Sequence, residues 1–185
     1  MLNPNFTPFP ELTTERLLLR QINAKDANEV FLLRSDEQVM KYIDRPKAKN
    51  IDEALDFIKM IETITANNEA IQWGITFKDN PKLLGYIGFW QMQKENFRAE
   101  IGYALLPDCH KKGIADEALK AAIDYGFNTM NLHSIEANLN PDNIASAKLL
   151  EKNNFEKEAY FKENYYFEGK FIDSLIYSLI VSKNR

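Results

Sequence analysis

The spacing of apolar residues along this chain alternates between a period of two and one near 3.6, and the switches mark its elements. Pro4, Pro8 and Pro10 make the start read as an irregular arm over 1–9. The run Arg16-Leu17-Leu18-Leu19-Arg20 predicts a first strand over 15–20. Ala27, Val30, Phe31 and Leu33 recur at helical spacing over 23–34, with Asn23 or Asp26 as cap, and a shorter helical piece follows over 36–42 until Arg45-Pro46 stops it. Asn50 with Glu53 three residues on reads as a helix start, and Ala54, Leu55, Ile58, Ile61 and Ile64 supply its apolar stripe.

After Asn67-Asn68 the period falls to two. Alternation over 70–77, a turn at Asp79-Asn80-Pro81 and a partner run over 83–92 predict a hairpin. A turn at 94–96 leads to a third strand over 98–106, which Pro107 ends. Ala115, Ala118, Leu119, Ala122 and Gly126 share one face of a helix over 115–128. A strand over 134–139, a short helix over 143–152 and a final hairpin of 155–167 with 171–181 complete the chain, the hairpin turning at Glu168-Gly169-Lys170. Seven strands are expected in all, in a mixed α/β domain over 10–185 with no repeat, low-complexity stretch or linker.

Composition narrows the function. A chain of 185 residues with 45% hydrophobic and 27% charged residues has the make-up of one ordinary globular domain, not of a disordered one. The formal net charge of -4 is the wrong sign for gripping nucleic acid over a broad face. The lone Cys109 excludes an intrachain disulfide, and no Cys/His cluster has metal-ligand spacing. Neither a signal-peptide pattern nor an apolar run of the roughly 18 residues that span a bilayer is found, so the cytoplasm is the expected location.

Two stretches bear chemistry. In Glu100-Ile-Gly-Tyr-Ala-Leu-Leu-Pro-Asp-Cys-His-Lys-Lys-Gly-Ile-Ala115 a strand ends, a basic loop carries Gly113, and a helix begins with its amides free. Unpaired amides and the helix dipole favour an anion such as phosphate, and Lys111 and Lys112 add charge there. The same loop on its own fits a plain strand-to-helix connection with solvated lysines. In Asn143-Ile-Ala-Ser146, Asn143 and Ser146 share one face of a first helical turn; alone, this is an Asn cap and a tolerated serine.

Together the two stretches resemble the GNAT superfamily of N-acetyltransferases. That family's pyrophosphate loop, Gln/Arg-x-x-Gly-x-Gly/Ala, reads here His110-Lys-Lys-Gly113-Ile-Ala115, and its Asn-x-x-Ser/Ala…Gly-Phe element reads Asn143-x-x-Ser146…Asn154-Phe155. Thr14-Glu15-Arg16-Leu17-x-Leu19-Arg20, Glu100-Ile-Gly-Tyr103 and Asp173-Ser-Leu-Ile-Tyr177 resemble the RimJ/RimL-like branch, whose members include acetylases of ribosomal-protein N-terminal amines. The resemblance runs over about residues 10 to 182. His110 departs from the usual Gln or Arg, and Asn154 replaces a Gly, as the residue next best suited to a left-handed position after a helix. The tyrosine that some members place seven residues after the Asn is absent, since Leu150 stands there.

The resemblance implies a largely antiparallel, seven-stranded twisted sheet flanked by helices, acetyl-CoA as co-substrate, no metal, and direct transfer to a primary amine. It also implies that Leu105, Leu106, His110, Lys111, Lys112, Gly113, Ile114, Ala115, Asn143 and Ser146 bind the cofactor. Glu100 is the candidate base and Ser146 the candidate donor to the departing thiolate. The plainer readings are an edge-strand glutamate facing solvent and a serine in helix packing; Tyr103 fits either the acceptor channel or the core. The partners expected are acetyl-CoA and an amine, a protein N-terminus or a small amine such as a polyamine or antibiotic, with no nucleic acid or membrane. The chain is expected to be a monomer or homodimer. The same fold also suits a catalytically silent acyl-CoA-binding module.

Overall fold

Strands built from the period-two segments form the middle of one twisted sheet. The computed structural model describes residues 1–181. β3 (Ile71–Phe77) pairs antiparallel with β4 (Asn80–Gln93), which pairs antiparallel with β5 (Arg98–Leu105). β2 (Leu17–Gln21) lies against β3, and the two-residue β1 (Leu12–Thr13) forms the edge beyond it. On the other side stand β6 (Ser134–Leu139), then β8 (Lys170–Ile180), then β7 (Glu156–Phe167) at the far edge. The sheet therefore has eight strands in place of seven. β1 escapes the sequence pattern because two residues are too few to show a period.

Every pairing is antiparallel except β5 with β6. That pair is joined by α4 (Ile114–Asn128), a crossover that returns the chain to the same end of the sheet, as parallel neighbours require. The other helices are α1 (Ala27–Ser35), α2 (Glu37–Met40), α3 (Ile51–Ala66) and α5 (Ile144–Lys152).

The middle of the sheet is covered on both faces, while β7 at its edge is largely exposed. Trp73, Ile75, Ile87 and Phe89 pack with Ile114, Ala118, Leu119 and Ala122 of α4. On the reverse face Val30 and Leu33 of α1 and Ala54, Ile58 and Ile61 of α3 pack over Ile22, Leu83 and Ala104. Residues 1–9 contain no helix or strand, yet Leu2 and Phe6 are buried in the α4-side core, and the Trp73 indole donates to the Pro10 carbonyl at 2.7 Å. At the far end Glu168 and Gly169 take φ of +46° and +83°, the left-handed pair that a tight hairpin between β7 and β8 requires.

Candidate active site

The β5–β6 ladder is short. It registers Arg98 with Ser134, Ala99 with Ile135 and Glu100 with Glu136, and then stops. Beyond Glu100, β5 continues to Leu105 beside β4 alone, while β6 continues to Leu139 beside β8 alone. The strands thus part at Glu100, and the β5 backbone over 101–105 turns an edge without a strand partner toward the gap. Such an edge can pair with an extended amide-bearing ligand.

The basic loop closes one end of this gap. Gly113 has φ of +75° and stands as N-cap of α4, and Lys111 also lies in the left-handed region at +59°. With no side chain at the cap, the first amides of α4 are left for an outside acceptor. Lys111 and Lys112 are exposed. His110 is also exposed, and its Nε2 lies 3.1 Å from the Leu105 carbonyl oxygen. Ile114 and Leu105 are buried, and Leu106 and Ala115 are half-buried.

The loop is anchored from far away in sequence. Glu117, in the first turn of α4, accepts from the Thr14 hydroxyl, from the Arg16 amide at 2.8 Å and from Arg16 Nε at 2.7 Å. Arg16 Nη1 donates to the Lys112 carbonyl at 3.1 Å. The Thr14-Glu15-Arg16 part of the motif therefore ties the sheet edge to the loop and helix start. Sequence reasoning gave it no role, because the partners are about a hundred residues apart.

α5 closes the other side. Asn143 caps it by accepting the Ser146 amide at 3.2 Å, and Asn154 follows it at φ of +63°, the left-handed conformation expected of it. Asp116 of α4 binds Lys152 Nζ at 2.9 Å and Asn153 Nδ2 at 2.8 Å, which docks α5 on α4. The Ser146 hydroxyl then meets the Tyr103 hydroxyl of β5 at 2.6 Å. Burial, opposed by the bond to Ser146, pushes the Tyr103 phenol up to about 12.

Glu100 and Tyr103 are three apart on a strand, so they leave β5 on opposite faces. Burial first, and the charge of Glu136 second, push the Glu100 carboxyl up to about 7, while Arg45 opposes them. The structure thus groups the loop residues with Leu105 and Leu106, and Asn143 and Ser146 with Tyr103. No hydrogen bond joins Glu100 to Ser146 among the described residues. Cys109 is buried.

This parted sheet with a basic loop at a helix start places the chain in a family. Residues 16–156 match the acetyltransferase (GNAT) domain, and the chain belongs to that family. It is an acetyl-CoA-dependent N-acetyltransferase, and its relatives include enzymes of the RimJ/RimL-like branch. It is 35% identical over 172 residues to the uncharacterized N-acetyltransferase YoaA of Bacillus subtilis, covering 93% of this chain and 97% of the relative. It is 29% identical to the [ribosomal protein uS5]-alanine N-acetyltransferase of Escherichia coli, over 93% of this chain and 91% of that one. The structure of RimL, the ribosomal L7/L12 α-N-protein acetyltransferase, in complex with coenzyme A superposes with a TM-score of 0.84 at 19% identity, over 93% and 98% of the two chains. Among the described residues no helix is long and apolar enough to cross a membrane, and no group of three or more His, Cys, Asp or Glu could hold a metal ion.

Proposed function

We propose that this enzyme acetylates the α-amino group of a protein or peptide, with Glu100 as base and Ser146, backed by Tyr103, as proton donor to the departing thiolate. The observation that carries this reading is Glu100, a carboxyl raised to about 7 where β5 and β6 part. A chain amine with a pKa near 8 gives such a base its proton at a cost of about 1.4 kcal/mol, whereas a lysine amine near 10.4 costs about 4.6 kcal/mol. The uS5-alanine acetyltransferase relative acts on an amine of the cheaper kind. A silent acyl-CoA module is not favoured, because the relatives bear N-acetyltransferase names.

In the proposed reaction the acceptor ammonium gives one proton to Glu100. The freed nitrogen pair forms the C–N bond at the thioester carbonyl carbon, and the C–S bond breaks. The second nitrogen proton is lost to water as the amide forms, the thiolate takes one from Ser146, and Ser146 regains one from water through Tyr103, so that two protons leave nitrogen and end on Glu100 and the thiol. The free amides at the start of α4, with Lys111, Lys112 and Gly113, hold the pyrophosphate of acetyl-CoA, and Leu105, Leu106, His110, Ile114, Ala115 and Asn143 complete its site.

The acceptor enters between the β7–β8 hairpin and the loop after α2, where Tyr165 donates to the Asp44 carbonyl at 3.1 Å. A pocket of about 300 Å³ lies there, lined by Met40, Asp44, Arg45 and Phe167 among others. A cytoplasmic location suits both substrates. Incubation with acetyl-CoA and a cell extract, followed by mass spectrometry, tests the reading. New acetyl groups are expected on protein N-termini; products confined to small amines or lysine side chains would overturn it.

A further inference from the structure

Glu100 shares its face of the sheet with a second acid. Its registered partner across the parallel ladder is Glu136 of β6, and registered residues on neighbouring strands project to the same side about 5 Å apart. Two carboxyl groups thus stand together where the strands part. Their surroundings differ. Glu136 is ion-paired with Arg98, whose Nη2 also donates to Ser178 Oγ at 3.3 Å, and that hydroxyl donates to Glu158 Oε2 at 2.9 Å. β5, β8 and β7 together fix Glu136 in place. The Glu100 side chain has no hydrogen bond or ion pair of its own among the described residues. The charged groups that face it are Glu136 from β6 and Arg45 from the loop after α2, and its registered neighbour on β4, Trp90, is uncharged.

We propose that Glu136 is a positioning residue for the reaction: its clamped carboxylate is the fixed like charge that strengthens Glu100 as a base, and Arg98 sets how much of that charge Glu100 feels. The inference rests on Glu100 being the base. A like charge held this close disfavours the second carboxylate and so favours its protonated form. The proton passes from the acceptor ammonium to a Glu100 oxygen, the electron pair of the broken N–H bond stays on nitrogen, and Glu136 neither gives nor takes a proton.

The test is a carboxyl ¹³C NMR titration of the whole chain, with the Glu100 signal assigned by its loss in Glu100→Gln. Glu136→Gln is expected to lower the Glu100 midpoint by about 0.5 to 1 pH unit. Arg98→Gln, which leaves the Glu136 charge uncompensated, is expected to raise it by a similar amount. Opposite signs cannot come from general loosening of the sheet. An unmoved midpoint, or shifts of one sign in both variants, would overturn the proposal. Should Glu136→Gln fail to fold, Arg98→Gln alone decides, by an upward shift or none.

The base reading has its own readout, the acid limb of kcat/KM with acetyl-CoA and a peptide with a free N-terminal alanine. It is expected to follow the NMR midpoint in each variant. Midpoints that move while the limb stays put would show that Glu136 tunes a carboxyl that is not the base, ending its role in the reaction.

Discussion

The Tyr103 hydroxyl lies 2.6 Å from the Ser146 hydroxyl, a bond that reaches from β5 to the first turn of α5 across 43 positions of sequence. Burial keeps the phenol protonated up to about pH 12, so the pair is a neutral donor throughout the range in which an acetyltransferase is assayed. Ser146→Ala and Tyr103→Phe are each expected to lower kcat about 10- to 1000-fold by a factor that does not vary with pH. If the two act as a relay, the double variant will be no slower than the worse single one. Steady-state rates of the three variants decide this, and losses that multiply would separate the two roles.

Gly113 governs acetyl-CoA binding. Its φ of +75° strains any residue with a Cβ, and a Cβ there would meet Arg16 Nη2 at 3.3 Å, disturbing the guanidinium that also holds the Lys112 carbonyl. Gly113→Val is expected to raise the acetyl-CoA Kd about 10-fold or more, from a backbone cost of about 1–3 kcal/mol. Isothermal titration calorimetry measures the Kd, and far-UV circular dichroism should show the fold retained. An unchanged Kd would place the pyrophosphate elsewhere.

Glu100 makes activity and stability respond to pH in opposite senses. As a base it must be ionised, so kcat/KM should fall as pH drops through about 7. In Glu100→Gln the loss should be greatest near neutrality and shrink as alkali frees the amine. Stability follows the other sign. Because the folded value is raised above the ordinary one, the contribution of Glu100 is complete below the unfolded value of about 4.3 and is lost as pH rises through about 7. Glu100→Gln should therefore raise Tm by a few degrees at pH 8 and leave it nearly unchanged at pH 4. Equal Tm differences at both values would contradict the raised carboxyl.

Asp116 couples α4 to α5. Burial would push it up, but hydrogen bonds from Lys152, Asn153 and Lys120 outweigh that and hold it at about 2. Its folded value is depressed, so its contribution is present above the unfolded value of about 3.9 and is lost as pH falls toward 2. Asp116→Asn is expected to cost about 1 kcal/mol near neutral pH, with the gap to the parent closing between pH 4 and 2. Thermal melts across that range check the prediction. A constant gap would mean that the hydrogen bonds, not the charge, hold the helices together.

What the sequence determined by itself is local. Element types and order, the cap at Asn143, the left-handed Asn154, the glycine at the start of α4 and the hairpin turn at Glu168-Gly169 all rest on neighbours within about four positions, where periodicity and turn chemistry act. The tertiary structure decided the pairings. No local pattern marks the two-residue β1, the hold of Arg16 on Glu117, the meeting of Tyr103 with Ser146, or the registration of Glu100 with Glu136. These depend on how far the α4 crossover carries the chain and on β8 lying between β6 and β7. The placement of α4 over the middle of the sheet buries apolar side chains of β3, β4 and β6 together, a sum to which residues far apart in sequence contribute.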